Sequence, residues 1–260
     1  IFKRPFDNFY FWQFWHKLIY FYKNKFMSQS IQQNKGFIEN VFNNVYDKYD
    51  LMNDIMSFGV HRIWKNKVIK MMNPTNNQSL IDVACGTGDI GKLYSIATEN
   101  NSNILSVDPN INMINKAKSR LATFSNIKFK VCSAEHLDIK DETFDFYTIS
   151  FGLRNTSNLE KAISEAFRVL KKGGRFICLE FSKINNEHLN LIYKNYSKII
   201  PEIGSRIVGK KEPYEYLVKS IEQFLNQEEL LEIMENKDFV NCEYTNLNGG
   251  IVAVHSGWKI

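Results

Sequence analysis

The residues whose types and spacing best suit a chemical role lie in one short stretch, residues 80–89, which reads LIDVACGTGD. An apolar run reaches an acidic residue, Asp82, and then passes into the turn Gly86-Thr87-Gly88. Because glycine has no Cβ and readily adopts positive φ, such a turn lets the backbone approach a nucleotide-like ligand closely. The stretch therefore predicts a nucleotide-binding loop between a strand and a helix.

Gly91 completes a G-x-G-x-x-G pattern, so the loop fits either a dinucleotide or S-adenosylmethionine (SAM). SAM carries a positive sulfonium and an amino-acid tail, and it has no pyrophosphate. The carboxylate of Asp82 suits the ammonium group of that tail, whereas it would repel the phosphates of a dinucleotide. Asp82 therefore favours SAM, and we interpret Gly91 as an incidental match.

Two further strand ends carry side chains that suit a nucleoside. Asp108 lies twenty residues after Gly88 and can accept both ribose hydroxyls, a requirement that SAM and NAD share. Ser133-Ala134-Glu135 offers a small residue against a flat ring and a polar group near the edge of an adenine. Asp108 thus indicates a nucleoside ligand but does not distinguish SAM from NAD. Ser-Ala-Glu occurs in too many loops to distinguish them either.

The fourth predicted strand ends in the sequence TISFGLRN, residues 148–155. If the ligand is SAM, the carboxyl end of this strand faces the methyl group and therefore the molecule that accepts it. The Pro-Pro-aromatic segment common in DNA and RNA amino-methyltransferases is missing there, which argues against a nucleic-acid base. Arg154 and Asn155 instead offer a cation and an amide that can stabilise an oxyanion. The alternative for Arg154 is a surface salt bridge.

Apolar periodicity places these segments at the ends of strands that alternate with helices, which predicts parallel βαβ units. The predicted strands are Ser79–Val83, Ile104–Asp108, Ile127–Cys132, Phe144–Ser150, Arg175–Phe181, Cys242–Leu247 and Ile251–Ser256. The predicted helices are His61–Met72, Ile90–Glu99, Asn112–Phe124, Leu159–Leu170, Leu189–Ile200 and Tyr214–Phe224. Asn248-Gly249-Gly250 predicts a turn between antiparallel strands. The expected fold is α/β of the class I SAM-methyltransferase, Rossmann-like type, with a seven-stranded mostly parallel sheet, an antiparallel C-terminal hairpin and helical lid elements.

The length of 260 residues suits one such domain, which we place at residues 27–260. Within it we expect an N-terminal helical lid at about 36–73 and a helical insertion at about 183–225. Residues 1–26 contain twelve aromatic side chains. We interpret them as an extension outside the domain, either sequence translated upstream of a start at Met27 or an interfacial anchor.

The composition excludes several classes of protein. With 44% apolar and 23% charged residues the chain is an ordinary globular one, and its net charge of +5 demands no nucleic-acid partner. The four cysteines lie far apart without a C-x-x-C pair, so neither a disulfide framework nor a zinc site is expected. No cluster of histidine and carboxylate residues suggests another metal.

Several segments match a known family in the same order along the chain. They are VF (41–42), YDLMND (49–54), MSFGVHRIWK (56–65), GTGD (86–89), ISFGLRN (149–155), LEFS (179–182), PEIG (201–204), YL (216–217), SI (220–221) and GIVA (250–253). From about Gly36 to Lys259 the chain resembles the ubiquinone/menaquinone biosynthesis C-methyltransferase family. Cys85 replaces the more usual glycine of the loop, and Ser133 stands where many relatives have asparagine.

The resemblance implies SAM as cosubstrate, with contacts at Thr87, Asp108, Ser133, Ala134 and Ser150, and no metal. Our interpretation of the loop adds Asp82, Gly86 and Gly88 to this set. The resemblance also implies methylation of a ring carbon of a prenylated benzoquinol or a demethylmenaquinol.

Ring methylation needs help, because a neutral aromatic carbon is a poor nucleophile. Loss of a ring hydroxyl proton, from a phenol with a pKa near ~10, raises the electron density on the ortho and para carbons. We hypothesise that Arg154 and Asn155 stabilise the oxyanion and that Tyr49 orients the ring or relays the proton.

A prenylated substrate predicts a tail groove near a membrane surface. We expect the helices before Pro74 and between Ser182 and Asn241 to form it. The residues expected there are Phe58, Trp64, Ile192, Tyr196, Ile199, Ile200, Lys194, Lys198, Lys210 and Lys211. This predicts peripheral attachment to the cytoplasmic face of the inner membrane, or to the matrix face in a mitochondrion. A homodimer or a complex with other quinone-biosynthesis enzymes is compatible with this prediction.

Three other functions remain open from the sequence. A methyltransferase of another small phenolic or sterol acceptor would keep the same loop without the flanking segments. An NAD-dependent oxidoreductase conflicts with Asp82 and with the closing hairpin. A non-catalytic scaffold with a relic SAM fold conflicts with the intact set of Asp82, Asp108 and Arg154.

Overall fold

A computed structural model describes residues 54, 57, 59–209 and 211–260. Its seven strands form one sheet with the order β3-β2-β1-β4-β5-β7-β6. They are β1 Leu80–Val83, β2 Ile104–Asp108, β3 Ile127–Val131, β4 Phe144–Ser150, β5 Leu170–Phe181, β6 Val240–Leu247 and β7 Val252–Trp258. The first five are parallel, and β7 runs antiparallel to both β5 and β6. The predicted fold class is confirmed.

Seven α-helices of the described part cover the sheet. They are α1 His61–Met72, α2 Asp89–Ala97, α3 Ile111–Arg120, α4 Leu159–Val169, α5 Glu187–Val208, α6 Glu212–Gln223 and α7 Gln227–Glu235. Successive residues of β5 alternate between two buried clusters, because side chains on a strand point to opposite faces in turn. Helices α1, α2, α5 and α6 contribute to the cluster on one face, and α4 and α7 contribute to the other.

Several predicted bounds were wrong and one helix was missed, and the boundary between α4 and β5 shows the physical reason. We expected the helix to end at Leu170 and the next strand to start at Arg175, because two lysines followed by Gly173 are typical of a helix end. Instead β5 starts at Leu170, which pairs with Phe144, and the N–H of Gly173 donates to the carbonyl of Lys259 at 2.7 Å. Pairing across the sheet therefore overrides the local helix-end signal. The prediction also missed α7, although Asn226 and Glu229 form its capping box.

The loops after β1 and β4 are in direct contact, and glycine makes this possible. A Cβ on Gly152 would lie 2.4 Å from the Cβ of Ala84. Gly88 has a φ of 86°, and a Cβ there would meet Leu121 at 2.6 Å. Gly91 has a packing role that the sequence did not reveal, since a Cβ at that position would lie 2.9 Å from Oγ of Ser106. Gly91 lets α2 pack closely on β2.

Candidate functional site

A small cleft lies at the carboxyl ends of β1 and β4, the edge where α/β sheets of this kind bind ligands. It is lined by Lys65, Asp82, Ala84, Cys85, Thr87, Asp89, Ile90, Ser150 and Phe151. Of the residues predicted from the sequence, the cleft brings together Asp82, Thr87 and Ser150. Gly86 and Gly88 form the turn beside it, both with positive φ.

Asp82 has a buried carboxylate that is only partly hydrogen-bonded and lines this cleft. Its side chain is 1% exposed, and its Oδ1 accepts a hydrogen bond from Oγ1 of Thr148 at 3.1 Å. No hydrogen bond of normal length and angle from the described residues reaches its Oδ2, although the backbone N–H of Gly91 is close enough to lower the pKa of Asp82. Burial raises the pKa of Asp82 to about 7, because an ionised carboxylate is costly to remove from water. A cationic group in the cleft would supply the missing donor.

Asp89, at the start of α2, is held by two cations. Nζ of Lys65 lies 2.8 Å from Oδ2, and Nη1 of Arg120 lies 2.6 Å from Oδ1. Burial alone would raise the pKa of Asp89, but the Lys65 and Arg120 charges hold it well below its usual value. Sequence reasoning assigned no role to Lys65, although Lys65 ends the matching segment 56–65.

Asp108 connects the turn after β1 to the loop after β2. Its Oδ2 accepts from the N–H of Gly86 at 3.0 Å and its Oδ1 from the N–H of Asn110 at 2.9 Å. Burial raises its pKa to about 6. Each carboxylate oxygen has a second lone pair, so these backbone bonds leave acceptor capacity for ribose hydroxyls.

Ser133 and Ala134 follow β3 and do not line the cleft. Ala134 packs into the buried cluster on the α4 side of the sheet. Oε1 of Glu135 accepts from the N–H of Ser157 at 2.6 Å and from its Oγ at 2.7 Å. Glu135 thus joins the loop after β3 to the loop after β4. The sequence did not predict this structural role.

Arg154 belongs to a buried ion pair, so the alternative of a surface salt bridge was wrong. Its Nη1 donates to Oε1 of Glu180 at 2.7 Å and to the carbonyl of Phe151 at 2.6 Å. The two charged side chains are 6% and 1% exposed. Nε of Arg154 is buried without a hydrogen-bond partner among the described residues. Glu180 lies in the matching segment 179–182, yet the sequence did not suggest this pairing.

Two tyrosines from the helical insertion reach the same place. Oη of Tyr216 donates to Oδ1 of Asn155 at 2.9 Å. The amide nitrogen of Asn155 donates one long hydrogen bond, 3.5 Å, to the Phe151 carbonyl, so its second N–H can donate to a ligand. Burial raises the pKa of Tyr193 to about 12, and the Arg154 charge opposes this rise. The structure therefore brings Arg154 and Asn155 together with Tyr193 and Tyr216. Tyr49, which we also predicted, lies outside the described residues.

A cavity of about 470 Å³ lies between α5 and α6, beside these side chains. It is lined by Ser182, Lys183, Ile184, Asn190, Tyr193, Lys194, Ser197, Val218, Ile221 and Glu222. Next to it, the ring of Phe181 packs 5.0 Å from Phe151 and 6.3 Å from Trp64, centroid to centroid. Phe151 also lines the cleft. The rings of Trp64, Phe151 and Phe181 therefore lie between the cleft and the end of β5, and Ser182, the next residue, lines the cavity.

Among the described residues, no group of three or more histidine, cysteine or acidic side chains is arranged to hold a metal ion. None of the helices described is both long and apolar enough to cross a membrane.

The chain is similar in sequence to the members of one known family. Residues 28–259 match the ubiE/COQ5 methyltransferase family. The chain is 50% identical over 233 residues to the ubiquinone/menaquinone biosynthesis C-methyltransferase UbiE of Rickettsia akari, which covers 87% of this chain and 94% of the relative. It is 49% identical to the protein of the same name from Rickettsia felis, over the same shares of both chains.

Solved structures agree with the fold at lower identity. A SAM-dependent methyltransferase of Thermotoga maritima, described as a possible histamine N-methyltransferase, aligns with a TM-score of 0.60 and 19% identity over 85% of this chain and 99% of that one. Phosphoethanolamine N-methyltransferase 2 of Haemonchus contortus, in complex with SAM, aligns with a TM-score of 0.55 and 14% identity over 75% and 52% of the two chains.

Proposed function

The chain belongs to the ubiE/COQ5 methyltransferase family, and we propose that it transfers the methyl group of SAM to a ring carbon of a prenylated benzoquinol or demethylmenaquinol. The observation that carries this proposal is the 50% identity to a ubiquinone/menaquinone biosynthesis C-methyltransferase across 87% of the chain. The acceptor is ionisable, so the enzyme must bind a SAM molecule and also stabilise a phenolate.

The cleft suits SAM on one structural observation above all. Oδ2 of Asp82 is a buried acceptor without a well-formed hydrogen bond from the described residues, and the ammonium group of SAM would provide the donor it lacks. Thr87, Ser150 and the Gly86–Gly88 turn surround the same cleft, with Asp108 next to the turn. When bound, SAM supplies an electrophilic methyl group on its sulfonium. Ser133 and Ala134 stay a prediction for the adenine end.

On the acceptor side, Arg154 and Asn155 provide two donors to a ring oxygen that has lost its proton. Glu180 fixes the guanidinium of Arg154, and Tyr216 fixes the amide of Asn155, so neither group needs to reorganise when charge develops. The cavity between α5 and α6 would accommodate the ring substituents and the start of the prenyl tail.

The function is tested with purified protein, SAM and two reduced acceptors in detergent micelles, a demethylmenaquinol and a prenylated benzoquinol without the ring methyl group. We expect mass spectrometry to find one added methyl group on carbon in at least one of them. The oxidised quinones serve as control and stay unmethylated, since they have no ring hydroxyl to ionise. Binding of S-adenosylhomocysteine (SAH) without methylation of either quinol would instead favour another small phenolic or sterol acceptor.

We further propose that the outer face of α5 attaches the enzyme to an anionic membrane surface. Four apolar side chains there are exposed, namely Leu191 at 61%, Ile192 at 66%, Ile199 at 54% and Ile203 at 36%. Lys194, Lys198 and Arg206 are exposed on the same helix. Tyr193 and Ser197 on its opposite side line the cavity. An apolar stripe with flanking cations is typical of helices that lie in a membrane interface.

This face differs from the one predicted from the sequence. Trp64 and Ile200 are buried in the core at 5% and 0% exposure, so including them was wrong. Tyr196 is half-buried against the same core, and Phe58 and Lys210 lie outside the described residues. Attachment to the cytoplasmic face of an inner membrane, or to the matrix face in a mitochondrion, is part of this proposal.

Membrane attachment is tested by sedimentation with phosphatidylglycerol vesicles. We expect the double variant Ile192→Glu/Ile199→Glu to bind at least about tenfold more weakly than wild type, because it loses apolar burial and adds repulsion from the lipid. The matched control is Ile96→Glu, which changes an exposed isoleucine of α2 and should bind like wild type. The proposal would be contradicted if wild-type protein did not bind the vesicles. It would also be contradicted if wild-type protein formed a dimer that the double variant does not form.

A further inference from the structure

A lysine of α1 reaches the cleft that the loop after β1 forms. Lys65 lines the cleft together with Asp82, Asp89 and Ser150. Its side chain is 11% exposed, so its aliphatic stem is buried and its Nζ is held in place beside Asp89. Among the described residues that line the cleft, Lys65 alone has a cationic side chain.

The two carboxylates of the cleft are in different situations. Asp89 has a cation on each oxygen, Lys65 on one and Arg120 on the other. Asp82 accepts the hydroxyl of Thr148 on one oxygen, and its other oxygen has no well-formed hydrogen bond from the described residues. An ammonium group that enters the cleft would therefore bind at Asp82, where an acceptor is unsatisfied.

Lys65 can donate further hydrogen bonds to a negatively charged group. A lysine ammonium carries three N–H donors, and Asp89 accepts from one of them. A ligand carboxylate is repelled by Asp82 and Asp89, and among the side chains that line the cleft Lys65 is the one that can form an ion pair with it. The lining thus has one place for a positive group and another for a negative group, which is the pattern that an α-amino acid requires.

We propose that Lys65 binds the carboxylate of the amino-acid part of SAM while Asp82 binds its ammonium group. This proposal rests on the proposed function, since it assumes that SAM is the ligand. It makes α1 part of the SAM site, although α1 precedes the glycine-rich loop in the chain.

The position of Lys65 is fixed by its neighbour. Nε1 of Trp64 donates to Oδ1 of Asn248 at 2.7 Å, and the Trp64 ring packs 6.1 Å from Phe151, which lines the cleft. Because α1 is anchored in this way, Lys65 needs little ordering when a carboxylate arrives, and binding loses less conformational entropy.

The test compares two ligands by titration calorimetry, SAH and its analogue that lacks only the carboxylate. We expect Lys65→Met to weaken SAH binding by about 10- to 100-fold, the range for a hydrogen bond to a charged group. Binding of the decarboxylated analogue should change by less than about twofold, since it retains the ammonium group that Asp82 binds. Lys65→Arg keeps the charge and should recover most of the affinity for SAH.

Two further variants separate this role from others. Lys67→Met, on the exposed side of α1, should leave both ligands unaffected. Asp89 keeps its partner Arg120 in Lys65→Met, and a thermal scan verifies that the variant is folded. Equal weakening of both ligands in Lys65→Met, unchanged SAH binding, or a selective loss of SAH binding in Arg120→Met would overturn the proposal. Wild-type protein that binds neither ligand would reject the SAM-dependent function itself.

Discussion

Arg154→Met is expected to lower the turnover of quinol methylation by about 100- to 1000-fold, the loss typical of removing a donor to a developing oxyanion. Nη1 of Arg154 is fixed by Glu180 and the Phe151 carbonyl, and its Nε has no partner in the described part of the chain. The affinity for SAH should stay within about twofold of wild type, because Arg154 does not line the cleft. Steady-state kinetics and calorimetry measure the two effects separately.

The control must account for the carboxylate that this substitution leaves behind. Glu180 is 1% exposed, and an unpaired buried charge destabilises a protein by about 3–5 kcal/mol. The double variant Arg154→Met/Glu180→Gln removes both charges and should be better folded yet equally inactive. Arg168→Met is the matched arginine control, since Arg168 on α4 pairs with Glu165 and Asp141 rather than with Glu180 and should keep normal turnover. Full activity in the folded double variant would show that Arg154 does not hold the oxyanion.

The affinity for SAH should rise steeply with pH as Asp82 loses its proton. Burial raises the pKa of Asp82 to about 7, and only the ionised form attracts an ammonium group strongly. Below that pKa we expect roughly a tenfold loss of affinity for each pH unit, measured by calorimetry between about pH 5.5 and 7.5. Asp82→Asn keeps an acceptor for Thr148 but should bind SAH weakly, with only the smaller pH dependence that Asp108 contributes.

Two other effects of pH must be kept apart from this one. Asp108, whose burial raises its pKa to about 6, titrates in the same range, and the Asp82→Asn variant retains that contribution. Without ligand, a raised pKa means that the stability from protonated Asp82 is complete below its unfolded value and is lost as pH rises towards about 7. Binding must therefore be measured directly, since melting temperatures combine both trends. Equal pH dependence in wild type and Asp82→Asn would remove Asp82 from the ammonium site.

The sheet could be predicted because its signals are local. Strands β2 and β4 have the predicted bounds, and α1 does as well, since each is a periodic apolar run that ends at a clear polar or turn signal. The family resemblance is also confirmed, by the match of residues 28–259 and by the Rickettsia relatives. The start of β5 could not be predicted, because pairing of Leu170 with Phe144 depends on a strand that lies elsewhere in the chain.

The partners of the predicted site residues were invisible in the sequence for the same reason. Asp89 lies 24 residues from Lys65, Glu180 lies 26 residues from Arg154, and Tyr216 lies 61 residues from Asn155. Each contact joins different elements of the fold, and no spacing rule along one helix or strand connects them. The residue types alone suggested the candidates but not the partners that set the charge around each of them.

The amino-acid sequence by itself determined the order of strands and helices, the glycine-rich loop with Asp82 and the family. These depend on local periodicity, backbone freedom and residue order. Only the tertiary structure decided that Arg154 is neutralised by Glu180, that Oδ2 of Asp82 is buried without a well-formed hydrogen bond from the described residues, and that Lys65 shares its cleft. Burial and charge pairing set these properties, and both arise only when segments far apart in the chain exclude water from the same place.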